Sequence, residues 1–149
     1  MFERIWNGTA IPLFEKAAAF GERRHEVLAG NIANIDTPGY HMRDLPVKQF
    51  QQALAKATER YAKTGRIDVP ESAGTAPAAG STDLQELFPK ELFQPKQASP
   101  VNLTFHDKNN RSIEHQVMEM TKNLLMQKFA LRVLAAQFDQ LQAVISERP

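Results

Sequence analysis

Residues 112–146 read SIEHQVMEMTKNLLMQKFALRVLAAQFDQLQAVIS. Within them Ile113, Val117, Met120, Leu124, Gln127, Leu131, Leu134, Phe138, Leu141 and Ile145 recur in alternating steps of four and three. That is the 3.5-residue repeat of a helix wound against another helix. No Gly or Pro interrupts it, and Gln127 is the one polar step in the stripe. Ser112 suits the N-cap, and Glu114 suits the positive start of the helix. At 1.5 Å per residue such a helix reaches roughly 50 Å. A seam of that length requires a partner.

The nearest candidate lies at the other end of the chain. Ile11, Phe14, Ala18, Gly21, His25, Leu28, Ile32 and Ile35 advance by the same steps, from about Thr9 to Ile35. Thr9 is a reasonable N-cap, and Pro12 is tolerable only near a helix start, where its missing N–H has no helical partner. A glycine inside a helix costs about 1 kcal/mol against alanine, so Gly21, on the seam, predicts close approach of another backbone. The long intervening chain leaves the pairing open to a parallel or an antiparallel arrangement. Both helices carry further apolar residues beside the seam: Leu13, Ala17, Phe20 and Val27 on the first, Met118, Leu125, Phe129, Val133 and Ala136 on the second. Helices apolar over a wide arc are buried against more than one neighbour. A short helix in the same chain or other subunits would provide the cover.

Between the two helices the composition changes. Pro38 and Gly39 stop the first helix near Asp36. Phe50, Leu54, Ala57 and Tyr61 mark a short amphipathic helix over about 46–63. Residues 65–100 are dense in Pro, Gly and Ser, and 71–82 are nearly all small, a composition that does not support a packed core. Leu84, Leu87, Phe88, Leu92 and Phe93 predict a short docked turn broken at Pro89, and 101–105 predict a brief strand. The expected fold is mainly α. Its terminal helices pair as a coiled coil, with a short amphipathic helix and a flexible Pro/Gly/Ser-rich middle. The segments are 1–40, 41–64, 65–110 and 111–149.

The 149 residues suit one domain. The formal net charge of +1 lacks the basic excess of a nucleic-acid binder. It leaves little repulsion between copies. There is no cysteine, hence no disulfide framework or thiolate metal site. Residues 1–20 have neither the basic start nor the apolar run of a secretory signal. His25-Glu26 begins a two-histidine zinc helix that fails at Ala29, and no phosphate loop or nucleophile turn occurs. The run Glu22-Arg23-Arg24-His25-Glu26 reads as a solvated face. No catalytic, cofactor-binding or metal residue is expected, and no cofactor, nucleic acid or small-molecule substrate.

The segment Asn31-Ile32-Ala33-Asn34-Ile35-Asp36-Thr37-Pro38-Gly39-Tyr40 closely resembles the N-terminal motif of the flagellar axial rod and hook family. Arg43-Asp44 continues the match, and 23–29 resemble the family's proximal-rod type. Residues 112–142 resemble the family's long terminal helix, with Glu119, Asn123 and Ala130 at familiar places. The likeness covers roughly the first 45 and the last 40 residues. It implies a structural, non-enzymatic rod subunit of the bacterial flagellar basal body, concerned with motility. It implies self-assembly of terminal helices into a torque-transmitting shaft, in contact with other flagellar rod proteins, copies of itself, the basal-body membrane ring and the export apparatus. It implies a periplasmic location reached by type III export without a cleaved signal peptide. A different flagellar rod protein, or a soluble helical adaptor or export chaperone, are the alternatives. The motif residues Asn31, Ile32, Ala33, Asn34, Thr37, Pro38, Gly39 and Tyr40 are candidates for holding the helix end. In the physical reading, Asn31 and Asn34 tie down free carbonyls or reach a neighbouring chain. Tyr40 lays its ring back with its hydroxyl bonded. Phe14, Leu28, Ile32, Ile113, Val117, Met120, Leu124, Leu131, Leu134, Phe138, Leu141 and Ile145 are the candidates for helix-seam assembly.

Overall fold

The computed structural model describes residues 9–65, 84–98 and 113–146. Their elements are α1 (Ile11–Ala33), β1 (Arg43–Asp44), α2 (Val47–Thr64), α3 (Leu84–Leu87), a 3-10 turn (Lys90–Phe93), β2 (Lys96–Gln97) and α4 (Ile113–Ser146). The molecule is mainly helical, and its two long helices pack against each other. The expected strand at 101–105, the cap at Ser112 and the small-residue run at 71–82 lie outside the described residues.

Pro12 occupies the first turn of α1, and the helix starts one residue later than a Thr9 cap implies, since the cap position is Ala10. The helix ends at Ala33, where the Asn34 amide closes onto the Gly30 carbonyl at 3.2 Å. The chain then turns twice. Tyr40 N–H donates to the Thr37 carbonyl at 3.2 Å, and Gly39 between them has φ +73. Pro followed by a glycine in the left-handed region is the residue order of a type II turn. Arg43–Asp44 next pairs antiparallel with Lys96–Gln97, Arg43 opposite Gln97 and Asp44 opposite Lys96. This small ribbon has no counterpart in the sequence pattern, because two-residue strands carry no readable alternation.

The core lies on one side of α1. Leu13, Phe20, Leu45, Phe50, Ala53, Ala57, Leu84, Phe88 and Leu92 form one buried cluster, with Ala17, Val27, Tyr61 and Phe93 packed on it. Phe20 and Phe50 stack with ring centroids 3.9 Å apart, and Phe93 meets both edge-on at 6.0 and 6.3 Å. Leu84, Phe88 and Leu92 form the docked turn expected of them, with Pro89 at the head of the 3-10 turn. Leu13, Ala17, Phe20 and Val27 are thus covered by the chain's own α2 and the 84–93 segment, and they are not free for other subunits.

On its other side α1 meets α4. Gly21 lies against Gln127, Arg24 against Glu119 and Asn31 against Gln116. Rising numbers on α1 meet falling numbers on α4, so the pair is antiparallel. A Cβ on Gly21 would lie 3.3 Å from the Gln127 Cβ, and the Gln127 Cα is 3.8 Å away, which is the close approach the glycine predicts.

The face α4 turns inward differs from the leucine-rich seam. Gln116, Asn123 and Ala130 are buried, and Met120, Gln127, Leu134, Gln137 and Leu141 are half-buried. These also follow steps of four and three. They share Met120, Gln127, Leu134 and Leu141 with the expected seam. The remaining seam residues of α4, namely Ile113, Val117, Leu124, Leu131, Phe138 and Ile145, are exposed. The seam as a contact between α1 and α4 is therefore corrected: α4 is rotated so that its polar and small residues face α1. The physical reason is the set of hydrogen bonds that those residues make.

Candidate assembly surface

Asn31 is 1% exposed and uses its whole amide. Its Nδ2 donates to the Arg43 carbonyl at 2.6 Å and to Gln116 Oε1 at 3.2 Å. Its Oδ1 accepts from Arg43 N–H at 3.0 Å and from the Tyr40 hydroxyl at 3.2 Å. Two donors and two acceptors are the full capacity of the group. One side chain thus joins the end of α1, the motif turn, β1 and α4. Asn34 acts locally: its Nδ2 donates to the Gly30 carbonyl at 2.8 Å, and its Oδ1 accepts from the Thr37 hydroxyl at 3.4 Å. Of the other motif residues, Ile32 is half-buried, while Ala33, Thr37, Pro38 and Gly39 are exposed.

Two turns before Asn31 stands Arg24. It belongs to the run read as a solvated face, yet it is 7% exposed, and that reading is corrected for this residue. Its Nε and Nη2 grip Asp44 at 2.9 and 2.8 Å, and Nη2 also donates to Glu119 at 2.8 Å. A planar guanidinium can serve two carboxylates at once in this way. The readable signal is spacing, since Arg24 lies seven residues before Asn31 and shares its helix face. Asn123 adds a third link, donating to the Gly21 carbonyl at 2.7 Å. Burial opposes the Arg24 charge, but the bonds to Asp44 and Glu119 outweigh it and hold its pKa above the ordinary value. The Arg24 hydrogen bond pulls the Glu119 carboxyl below its usual range, against partial burial and with help from Lys122.

A pH dependence follows from the lowered Glu119 value. The stability it contributes is fully present above its unfolded value, about 4.5, and is lost as pH falls through the folded value. Urea titrations below about pH 4.5 are expected to show stability falling more steeply with acid in the native chain than in Glu119→Gln. Equal slopes would remove Glu119 from the acid response.

With its polar side turned inward, α4 presents apolar residues outward in two strips. One comprises Ile113, Val117, Leu124, Leu131 and Phe138, adjoining the α1 contact. The other comprises Met118, Leu125 and Phe129, on the far side, where Leu125 and Phe129 are more than 60% exposed. Of the seam candidates on α1, Leu28 is buried and Phe14 and Ile32 are half-buried on the face that Gly21 presents to α4. Val133 is half-buried and Ala136 exposed. Apolar strips outside a helix face that is already occupied are surface suited to further neighbours. Among the described residues no helix is long and apolar enough to cross a membrane. No group of three potential metal ligands occurs among them either.

The family model for the flagella basal body rod protein matches residues 21–41. That stretch contains Gly21, Arg24, Asn31 and the whole turn. The flagellar basal body rod protein FlgB of Escherichia coli (strain K12) is 30% identical over 142 residues, covering 91% of this chain and 92% of the relative. The chain belongs to the FlgB family of flagellar basal body rod proteins. The FlgB proteins of Aquifex aeolicus (28% identical, 93% of this chain and 94% of the relative) and Salmonella typhimurium (26%, 97% of each) extend the likeness end to end. A member of the FlgB family is a structural subunit of the flagellar basal body.

Proposed function

We propose that this FlgB-family chain builds the proximal part of the rod by packing the outward strips of α4 against neighbouring subunits. The observation that carries this reading is the exposure of Leu124, Leu125, Phe129 and Leu131 on a helix whose inner face is already occupied. The neighbours are copies of the chain and other flagellar rod proteins, beside the basal-body membrane ring in the periplasm. The chain arrives there through the flagellar export apparatus. The paired helices α1 and α4 form the shaft, with α2 and the 84–93 segment packed on α1. The seam positions Ile113, Val117, Leu124, Leu131, Phe138 and Ile145 serve contacts between chains; Met120, Leu134 and Leu141 serve the contact within one. Packed antiparallel pairs transmit torque as a rigid body, with no chemical step.

Deletion of the encoding gene tests the reading. Growth is expected to be unchanged and flagella absent, with flagella restored by the native gene in trans. Normal flagella in the deletion strain would refute the proposal.

A further inference from the structure

The inner and outer tracks of α4 share Met120, Gln127, Leu134 and Leu141. A modest rotation of α4 about its own axis would therefore exchange Gln116, Asn123 and Ala130 for Val117, Leu124 and Leu131 against α1. Judged by apolar area alone, the leucine track is the better partner for Leu28 and Ile32. The chain uses the other one.

We propose that the polar clasp, Arg24 and Asn31 of α1 with Gln116, Glu119 and Asn123 of α4, selects which face of α4 pairs within the chain and so reserves the leucine strip for neighbours. This rests on the assembly reading above. Rotation would strip Asn31 of Gln116, Arg24 of Glu119 and the Gly21 carbonyl of Asn123. Buried polar groups left without partners are costly, while the same groups satisfied define one arrangement. A single buried amide sets register in coiled coils by this logic. The clasp extends the logic to rotation and adds a link to β1 through Asp44 and the Arg43 backbone.

The chain has no cysteine, so single introduced thiols report each face without background. Ala130 is 4% exposed and its neighbour Leu131 is 49% exposed. In the unassembled native chain, maleimide is expected to react faster with Leu131→Cys than with Ala130→Cys. Adding Arg24→Leu and Asn31→Leu makes α1 apolar along its face. The rate at 131 is then expected to fall at least tenfold, and that at 130 to rise at least tenfold. A second background, Gln116→Ala with Asn123→Ala, leaves the Asn31 hold on Arg43 intact and is expected to move both rates in the same directions. It decides the matter if the first variant fails to fold. Unchanged rates would overturn the proposal. Fast labelling at both positions would also overturn it, by showing that the clasp holds the pair together rather than choosing its face. The readout is independent of assembly, so failure of the rod reading would leave a reversal of rates standing.

Discussion

Leu131→Asp is expected to leave the purified chain folded and to leave cells without working flagella. Leu131 sits just outside the track that faces α1, so in the free chain the new carboxylate stays in water. Substitutions at such positions change stability by less than about 1 kcal/mol. In the proposed rod packing the same position lies against a neighbour. Burying an unpaired carboxylate there costs several kcal/mol at every copy. Thermal melts of the purified variant and swimming assays of the complemented deletion strain separate the two effects. Full motility would remove the outer strip from the assembly surface. Gln140→Asp, also exposed, is the mild control. Leu134→Asp makes the useful contrast. Leu134 is half-buried toward α1, so its loss strikes the fold of the single chain before any neighbour is involved.

The second large effect belongs to Asn31→Asp. The change is nearly isosteric, but it removes both donors from a site that is 1% exposed. The Arg43 carbonyl and Gln116 Oε1, which received those donors, then face a carboxylate. An uncompensated buried charge costs on the order of 3 kcal/mol or more. That penalty acts on the ionised form, so the folded state raises the pKa of the introduced carboxyl. Stability lost at neutral pH is then partly regained as pH falls and the group protonates. This is opposite in sign to the acid response expected from Glu119. Denaturant midpoints at two pH values read both. A variant as stable as the native chain at neutral pH would contradict the tetradentate role of Asn31.

The periodicity of α4 identified a long pairing helix, and the steps through Gly21 and Leu28 identified the face of α1 that meets it. The Pro38-Gly39 turn and the bonded Tyr40 hydroxyl were also legible, because a turn type and a ring with one polar tip have few solutions. The rotation of α4 was not. Two heptad tracks overlap at alternate positions, and hydrophobicity ranks the leucine track first. The polar track prevails because α1 supplies Arg24, Asn31 and a free lone pair on the Gly21 carbonyl. Those partners lie far away in sequence, with separations of 95, 85 and 102 residues. Arg24 was hidden for a related reason: in a run of charges, its seven-residue spacing from Asn31 is the one local signal, and its partners Asp44 and Glu119 are brought to it by the fold.

The antiparallel pairing has a consequence for what may be added to this chain. Ala33 and Ile113 lie at the same end of the helix pair, so everything between them leaves and returns at one place. From that end α2 and the 84–93 segment pack back along α1. Lengthening the connection alters only one loop closure, at about 0.6 kcal/mol for each doubling of its length. New modules can therefore be spliced into that connection, as in domain insertion, without disturbing the register of Gly21 on Gln127.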